Sequence, residues 1–439
     1  MKELFKISGS EDWKRLRHDL IPGGAHTYSK GDDQFPENAP AALERGEGAW
    51  TFAPDGSKFL DMAMGLRSVT LGHRYGPIDK AVAESLNYGS NLSRPSVFEA
   101  KYAENLLKAL GWPAMVKFCK NGSTATSAAV KLARASTGRK YVARCRQQPF
   151  FSYDDWFIGT TTCPRGVPEE VGKLTLQFDY GDFGSLDKLI KSHPEQIACL
   201  ILEPATAGDP APGFLEGLRE RCTKSGIVLI FDEMILGFRL ALGGGTERFG
   251  VTPDLATFGK GMANGFSMAA LVGKREIMEL GDIKEGRRKV FLVSTTHGAE
   301  LCGLFAAQAA LNVYQSKPVI DSIAAFGAQL KEKFNAVSKD HGLQDNIRLG
   351  GFDAMPTMAV MREGKPDAEL RTLFLQEMIK GGVLMPYLAP CFSHGDEELE
   401  FLLKAYRKAA PVLVKSLKSG KVRESVRGAI VKPVFREVN

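Results

Sequence analysis

A set of short, continuously apolar segments separated by helical stretches sets the narrowest limit on how this chain can fold. Ile197 to Leu202 is almost wholly apolar, and so is Ile227 to Phe231. Leu255 to Phe258 and Met268 to Val272 are two more. Ala114 to Cys119 and Lys140 to Cys145 flank a helix over Thr124 to Thr137, with apolar positions at Ala128, Leu132 and Ala135 and a stop at Gly138. Strands without polar alternation are covered on both faces, and strands that alternate with helices pair in parallel. The expected fold is α/β with a mostly parallel central sheet. Ligands of such sheets bind at the carboxyl ends of the strands, so polar residues just after each strand are the first candidates for chemistry.

At 439 residues the chain exceeds one ordinary domain. Residues 1–59 are the expected N-terminal segment of the small domain, and residues 11–60, punctuated by Pro22-Gly23-Gly24, Phe35-Pro36 and Pro54-Asp55-Gly56, read as short strands and loops. Residues 60–312 form the expected large domain. Residues 313–439 hold a long helical stretch, shorter segments around Gly350 and Val383-Leu384-Met385, a final helix from Glu397 to Leu417, and a basic tail. The two chain ends together are expected to build a smaller α/β domain. Apolar residues make up 44% and charged residues 25%, which excludes a disordered chain. No run of about 18 apolar residues is present, so no membrane helix is expected. Met1 to Ser10 carries Lys2, Glu3 and Lys6 and does not read as a secretory signal. None of the seven cysteines stands in a C-x-x-C pair, so no metal site is expected, and scattered single cysteines fit a reduced cytoplasm. The net charge of +6 is uneven. Lys404 onward carries ten Lys/Arg against two Asp/Glu, and the rest of the chain 47 against 49. A solvated helix face followed by a packed tail accounts for this, and no motif supports nucleic-acid binding.

Three strand ends stand out. The run Ile227–Phe231 leads into Asp232-Glu233, a carboxylate that could equally serve as a helix cap or loop charge. Phe258 leads into Gly259-Lys260-Gly261-Met262-Ala263-Asn264-Gly265. Glycines let the backbone approach a bound group closely, although a surface-loop lysine is the ordinary alternative. Cys119 leads into Lys120-Asn121-Gly122-Ser123-Thr124. Unpaired N–H groups at a helix start, with two hydroxyls, make an anion cup. Capping by Ser123 or Thr124 is the plain structural use of the same residues. Nucleotide motifs fail on spacing: Lys260 is followed by glycine, and Gly243-Gly244-Gly245 does not complete G-x-G-x-x-G. A phosphate cup, a strand-end carboxylate and a glycine-flanked lysine together match pyridoxal phosphate. That cofactor needs a Schiff-base lysine, an acid against its pyridine nitrogen and an anion site.

Further segments carry a family likeness. They include Ile21-Pro22-Gly23-Gly24, Leu71-Gly72-His73, Ile230-Phe231-Asp232-Glu233-Met234-Ile235-Leu236-Gly237-Phe238-Arg239 and Thr257-Phe258-Gly259-Lys260-Gly261-Met262-Ala263-Asn264-Gly265. With Asp232 and Lys260 separated by 28 positions (260 − 232), the chain from about Ile21 to Leu403 resembles class III pyridoxal-phosphate aminotransferases, in particular the glutamate-1-semialdehyde aminomutase branch. The resemblance implies a fold type I transferase acting as a cytoplasmic homodimer, with its active site at the interface. It implies that Lys260 bears the cofactor and Asp232 meets the ring nitrogen. Gly122, Ser123 and Thr124 fall on the phosphate cup. Phe150 falls where the family stacks an aromatic ring on the pyridine, with Phe151-Ser152 in place of the usual His-Gly. Glu203 falls on the family's Glu-Pro and orders the site or the substrate. Thr295 or Thr296, in Ser294-Thr295-Thr296-His297-Gly298, falls on the loop that reaches the partner's cofactor phosphate.

The branch differs from this chain at the substrate end. Lys30 stands where the aminomutase has a carboxylate-holding arginine, and lysine lacks the bidentate fork. In Gly65-Leu66-Arg67-Ser68 a leucine replaces a tryptophan, and Arg67 brings a new cation. The activity implied is amino transfer from an amino-acid donor to an aldehyde or ketone acceptor, with an intramolecular aminomutase as the alternative. An idle scaffold is disfavoured by the presence of both Lys260 and Asp232.

Overall fold

The computed structural model describes residues 10–434, apart from the side chains of Arg287 and Arg288. The first nine residues and the end of the basic tail lie outside that range. The chain divides into two compact units, the larger spanning Gly76–Ile320 and the smaller combining the segments that precede Gly76 and follow Ile320.

The large unit is built on a seven-stranded sheet. Its spatial order is Met115–Cys119, Ala269–Gly273, Leu255–Phe258, Val228–Asp232, Ile197–Leu202, Tyr141–Cys145 and Thr175–Phe178. The five strands from Leu255–Phe258 to Thr175–Phe178 pair in parallel. Ala269–Gly273 runs antiparallel to both neighbours, because residues 259–268 are too few for the crossover of about a dozen residues that a parallel connection needs. The edge strand Thr175–Phe178 was not legible in the sequence: it has four residues, and only Thr175 and Phe178 are buried. Every residue of Ile197–Leu202, Val228–Asp232 and Leu255–Phe258 is buried. The helix Gly122–Thr137 lies over these strands through Ala125, Ala128, Ala129, Leu132 and Ala133. Pairing Asp232 with Thr257 and Leu202 with Phe231 aligns the carboxyl ends of the parallel strands. Met115–Cys119 pairs antiparallel to Ala269–Gly273, so its carboxyl end falls at that same edge.

The small unit joins both ends of the chain in one sheet. Arg45–Glu47, Trp50–Phe52 and Lys58–Asp61 pair antiparallel, and Val383–Leu384 adds in parallel to Lys58–Asp61. This pairing keeps residues 60–75 with the small unit, and the partition falls after Tyr75 rather than at residue 59. The second partition falls after Ile320. There the long helical stretch breaks near Pro318 into Leu301–Ser316 and Val319–Asp340. The segment expected to hold only strands and loops contains a helix, Ser10–Leu20. Its Glu11 and Asp12 lie in the first turn and Arg17 and His18 in the last, the arrangement that suits a helix dipole.

In the small-unit core Phe334 stacks on Tyr406 with ring centres 4.1 Å apart and planes 7° from parallel. The Tyr406 hydroxyl shares a 2.8 Å hydrogen bond with that of Ser338. The helix Asp396–Ser419 buries Leu399, Leu402, Tyr406 and Leu413 and turns Lys404, Arg407, Lys408, Lys415 and Lys418 to solvent. Val422, Val426 and Val431 of the tail pack into the same core. The basic excess is thus a solvated helix face with a packed tail. Phe334→Ala should lower unfolding stability by about 3–5 kcal/mol, the loss usual for a buried ring. A denaturant titration checks this, and a change under about 1 kcal/mol would contradict the packing.

Candidate active site

Asp232 is the last residue of its strand and is buried. Its Oδ1 accepts from the backbone N–H of Met234 at 3.0 Å and from the Thr257 hydroxyl at 3.2 Å. Burial pushes its pKa up to about 6, against the opposing pull of the Lys260 charge and the two hydrogen bonds. Asp232 is therefore neither a helix cap nor a solvated loop acid. The next residue is the cap. The fully buried Glu233 accepts from the amides of Gly245 and Thr246 at 2.8 Å each and from the Thr246 hydroxyl at 2.7 Å. It thereby closes the start of the helix Gly244–Phe249. This accounts for the middle glycine of the three, since a Cβ on Gly244 would collide with the Glu233 carboxylate, while one on Gly245 would meet Pro204. Burial pushes Glu233 up to about 7, and the nearby Asp232 charge adds to the rise.

Lys260 opens the short turn Lys260–Ala263 directly after the strand Leu255–Phe258. Its φ of 44° is left-handed, a conformation that surrounding structure must hold in a non-glycine residue. The turn is fixed by the Tyr314 hydroxyl, which donates to the Gly261 carbonyl at 3.0 Å. Met234 joins this turn to the other motifs. A Cβ on Gly259 would lie 2.6 Å from the Met234 sulfur, and one on Gly122 would lie 2.9 Å from it. One thioether therefore fills the space that two glycines leave open, while the same residue's amide holds Asp232. Sequence reasoning gave Met234 no role. The signal was the glycine at both strand exits, which calls for something bulky between them.

The helix Gly122–Thr137 begins at that floor. Asn121 is its cap, and its Oδ1 accepts from the Thr124 amide at 2.9 Å and the Thr124 hydroxyl at 3.1 Å. Ser123 and Thr124 are thus not the capping residues. Among the described residues no backbone acceptor reaches the amides of Gly122 and Ser123. The Ser123 hydroxyl accepts from the Tyr153 amide at 3.2 Å. Three further hydrogen bonds tie the 150–156 loop to this helix. The Thr126 hydroxyl donates to the Phe151 carbonyl at 2.8 Å, and Ser127 meets Ser152 at 3.0 Å and the Trp156 indole N–H at 2.9 Å. The core position in this loop belongs to Phe151, which is 2% exposed, whereas Phe150 is 48% exposed and leaves its ring accessible.

Glu203, at the end of Ile197–Leu202, is buried, and its backbone forms a reciprocal pair with Gln148. The Glu203 amide donates to Gln148 Oε1 at 2.9 Å, and Gln148 Nε2 donates to the Glu203 carbonyl at 2.7 Å. Gln148 was not singled out in the sequence, where it is one of two adjacent glutamines. Thr295 and Thr296 lie exposed in the loop before Leu301–Ser316, and the Thr296 carbonyl accepts from Asn91 Nδ2 at 2.9 Å.

The candidate substrate residues belong to the small unit. Met64, Gly65, Leu66 and Arg67 have φ of 43°, 58°, 62° and 66°, a left-handed turn of four residues. The turn is anchored by Asp61, whose Oδ1 accepts from the amides of Ala63 and Met64 at 2.9 Å each. The Arg67 guanidinium lies over the Tyr387 ring, 5.0 Å from its centre. Lys30, Leu66 and Tyr387 line one cavity of about 680 Å³ within this unit.

A buried carboxylate at a strand end, a lysine whose charge it feels, a glycine floor and open helix-start amides fit pyridoxal phosphate. The carboxylate in particular is one that a ring N–H would satisfy. The family profile for class III aminotransferases matches residues 33–388, and the chain belongs to that family. Its members use pyridoxal phosphate for amino transfer. The chain is 31% identical over 432 residues to a 3-aminobutyryl-CoA aminotransferase of Cloacimonas acidaminovorans (strain Evry), covering 95% of this chain and all of that protein. It is 33% identical over 417 residues to the glutamate-1-semialdehyde 2,1-aminomutase of Thermus thermophilus, covering 89% and 96%. Among solved structures, the FumI protein of Sphingopyxis sp. MTA144 in its pyridoxal-phosphate form superposes with a TM-score of 0.85 at 25% identity, covering 93% of this chain and 97% of that one.

The two buried acids set a pH signature. Asp232 rises from 3.8 to about 6 and Glu233 from 4.5 to about 7, so between those values the folded state holds protons that the unfolded chain has released. Their contribution to stability is therefore fully present below about pH 4 and is lost as pH rises to about 7. In cofactor-free protein, Glu233→Gln should flatten the fall in unfolding free energy from pH 4.5 to 7 relative to the parent. Parallel pH profiles for the two would refute this.

Proposed function

We propose that this chain transfers an amino group from an amino-acid donor to an aldehyde or ketone acceptor, with Lys260 and Asp232 as catalytic residues. The observation that carries the reading is the buried Asp232 carboxylate, held by Met234 and Thr257 and exposed to the Lys260 charge. When bound, pyridoxal phosphate supplies an aldehyde carbon and an electron-accepting ring. Lys260 Nζ anchors it and, once displaced by the donor amine, takes and returns the proton at the donor carbon. Asp232 keeps a proton on the ring nitrogen. The amides of Gly122 and Ser123 and the Ser123 hydroxyl take the phosphate at the helix start, beside Thr124, whose own amide and hydroxyl are turned to Asn121. Phe150 covers the ring face, and Glu203, fixed by Gln148, orders the site beside it. Thr295 or Thr296 serves the cofactor phosphate of a second copy, which makes the active form a homodimer. The exposed Leu86, Tyr88, Leu92, Val97 and Phe291 of the large unit support such a partner. The cysteines are thiols not joined in disulfides, which supports a cytoplasmic location, and no described helix is long and apolar enough to cross a membrane.

Borohydride reduction of the loaded protein followed by peptide mapping should label Lys260. Asp232→Asn should retain the cofactor and lose turnover by about 10²-fold or more. Label on another lysine, or near-normal turnover of the asparagine variant, would overturn the assignment.

The small unit contributes candidate substrate residues. Lys30 replaces the branch's arginine, and Leu66 with Arg67 reshapes the adjoining turn. Glutamate with a panel of aldehydes should show amino transfer, accompanied by little turnover of glutamate-1-semialdehyde. Efficient aminomutase turnover would select the second reading, and Arg67→Ala with unchanged acceptor kinetics would remove the arginine from the substrate site.

A further inference from the structure

Thr295 and Thr296 border a cavity of about 530 Å³ that lies wholly within the large unit, between residues 91–99 and 293–301. Its size falls within the range of small-molecule pockets, about 300–1,000 Å³, and exceeds what one phosphate oxygen cluster requires. The polar part of the remaining wall is largely cationic and hydroxylic, set among apolar residues such as Leu92, Phe118 and Leu301. Arg94 and Lys117 both line it, together with Ser93 and Ser294. Both cations are exposed, and among the described residues neither has a carboxylate partner. Lys117 is notable because it projects to solvent from within the strand Met115–Cys119. The helix Val97–Leu110 also starts at this wall, capped by the Ser96 hydroxyl, which accepts from the Glu99 amide at 3.0 Å. Its positive end adds to the field of the two cations. Glu99, in the first turn of that helix, is the one acid among the lining residues.

We propose that this cavity is a second anion site, in which Arg94, with Lys117 in support, holds a phosphate or carboxylate group carried by the acceptor substrate. The assignment rests on the amino-transfer reading and deepens it by naming the acceptor as anionic. A planar guanidinium offers two parallel donors to such a group, and the ammonium adds charge without direction. Placed beside the threonines given to a second copy's cofactor, the site would be supplied by one protomer to the reaction of the other.

The test uses the cofactor-loaded protein and two probes, inorganic phosphate and succinate, titrated by calorimetry. At least one should bind saturably to the parent. Arg94→Ala should weaken that binding tenfold or more, Lys117→Ala should weaken it less, and Arg94→Lys should retain part of it. With glyceraldehyde 3-phosphate and glyceraldehyde as paired acceptors, Arg94→Ala should raise KM for the phosphorylated one alone. Absence of saturable binding, equal affinity in parent and Arg94→Ala, or equal KM changes for both aldehydes would overturn the proposal. Visible absorbance of the bound cofactor in the same samples reports separately on the amino-transfer reading. A protein that takes up no cofactor fails that reading, while the anion titration still decides the cavity.

Discussion

A carboxylate withdrawn from water at the end of a central strand is the constraint on which the large unit turns. An isolated charge in that position is unfavourable, so Asp232 is surrounded by groups that favour its ionised form. The Met234 amide and Thr257 hydroxyl supply hydrogen bonds, and the Lys260 charge supplies attraction. Burial still wins, leaving the pKa near 6 rather than in the ordinary carboxylate range. Such a group is ionised near neutral pH yet gains from a further proton donor. The ring nitrogen of the family's cofactor is a donor of that kind. The acid next to it follows a different course: Glu233 is equally buried and spends its oxygens on one helix start. Two neighbouring carboxylates thus differ by their partners alone, Glu233 being spent on a helix start while Asp232 keeps accepting capacity for the role proposed for it.

Met234 turns this electrostatic arrangement into a geometric one. Its sulfur touches the space above Gly259 and Gly122, and its cluster includes Cys119, Ala125 and Ala269. The lysine turn and the start of the helix Gly122–Thr137 are therefore referenced to a single side chain, whose backbone also positions Asp232. A flexible thioether suits this place because it fills an irregular gap between two loops without imposing a branched shape.

The parallel sheet and its strand-end residues were legible because apolar runs such as Ile197–Leu202 and Leu255–Phe258 admit one reading, and both match the structure at both ends. The places of Asp232 and Lys260 were legible because each stands at the end of an apolar run. What escaped depended on long-range or compensating contacts. Thr175–Phe178 is short and half-buried, so its pattern carries little signal. Asn121 is the cap in place of the two hydroxyls that follow it, because its side chain reaches both the amide and the hydroxyl of Thr124. Gln148 matters through a partner 55 residues away, which no local pattern encodes. The helix Ser10–Leu20 was obscured by the glycine and proline turns that follow it.

The parallel pairing of Lys58–Asp61 with Val383–Leu384 also governs the order in which the chain can mature. A ribosome delivers the large-unit sequence whole before the residues that complete the small sheet exist, so the early three-stranded ribbon emerges with one edge bare. Backbone edges of this kind invite pairing with other chains, and distant strand closure is slow. The large unit has its own core to fold around in that interval. The first sixty residues must wait for the last sixty, and the early ribbon's open edge is the part of the nascent molecule most in need of protection.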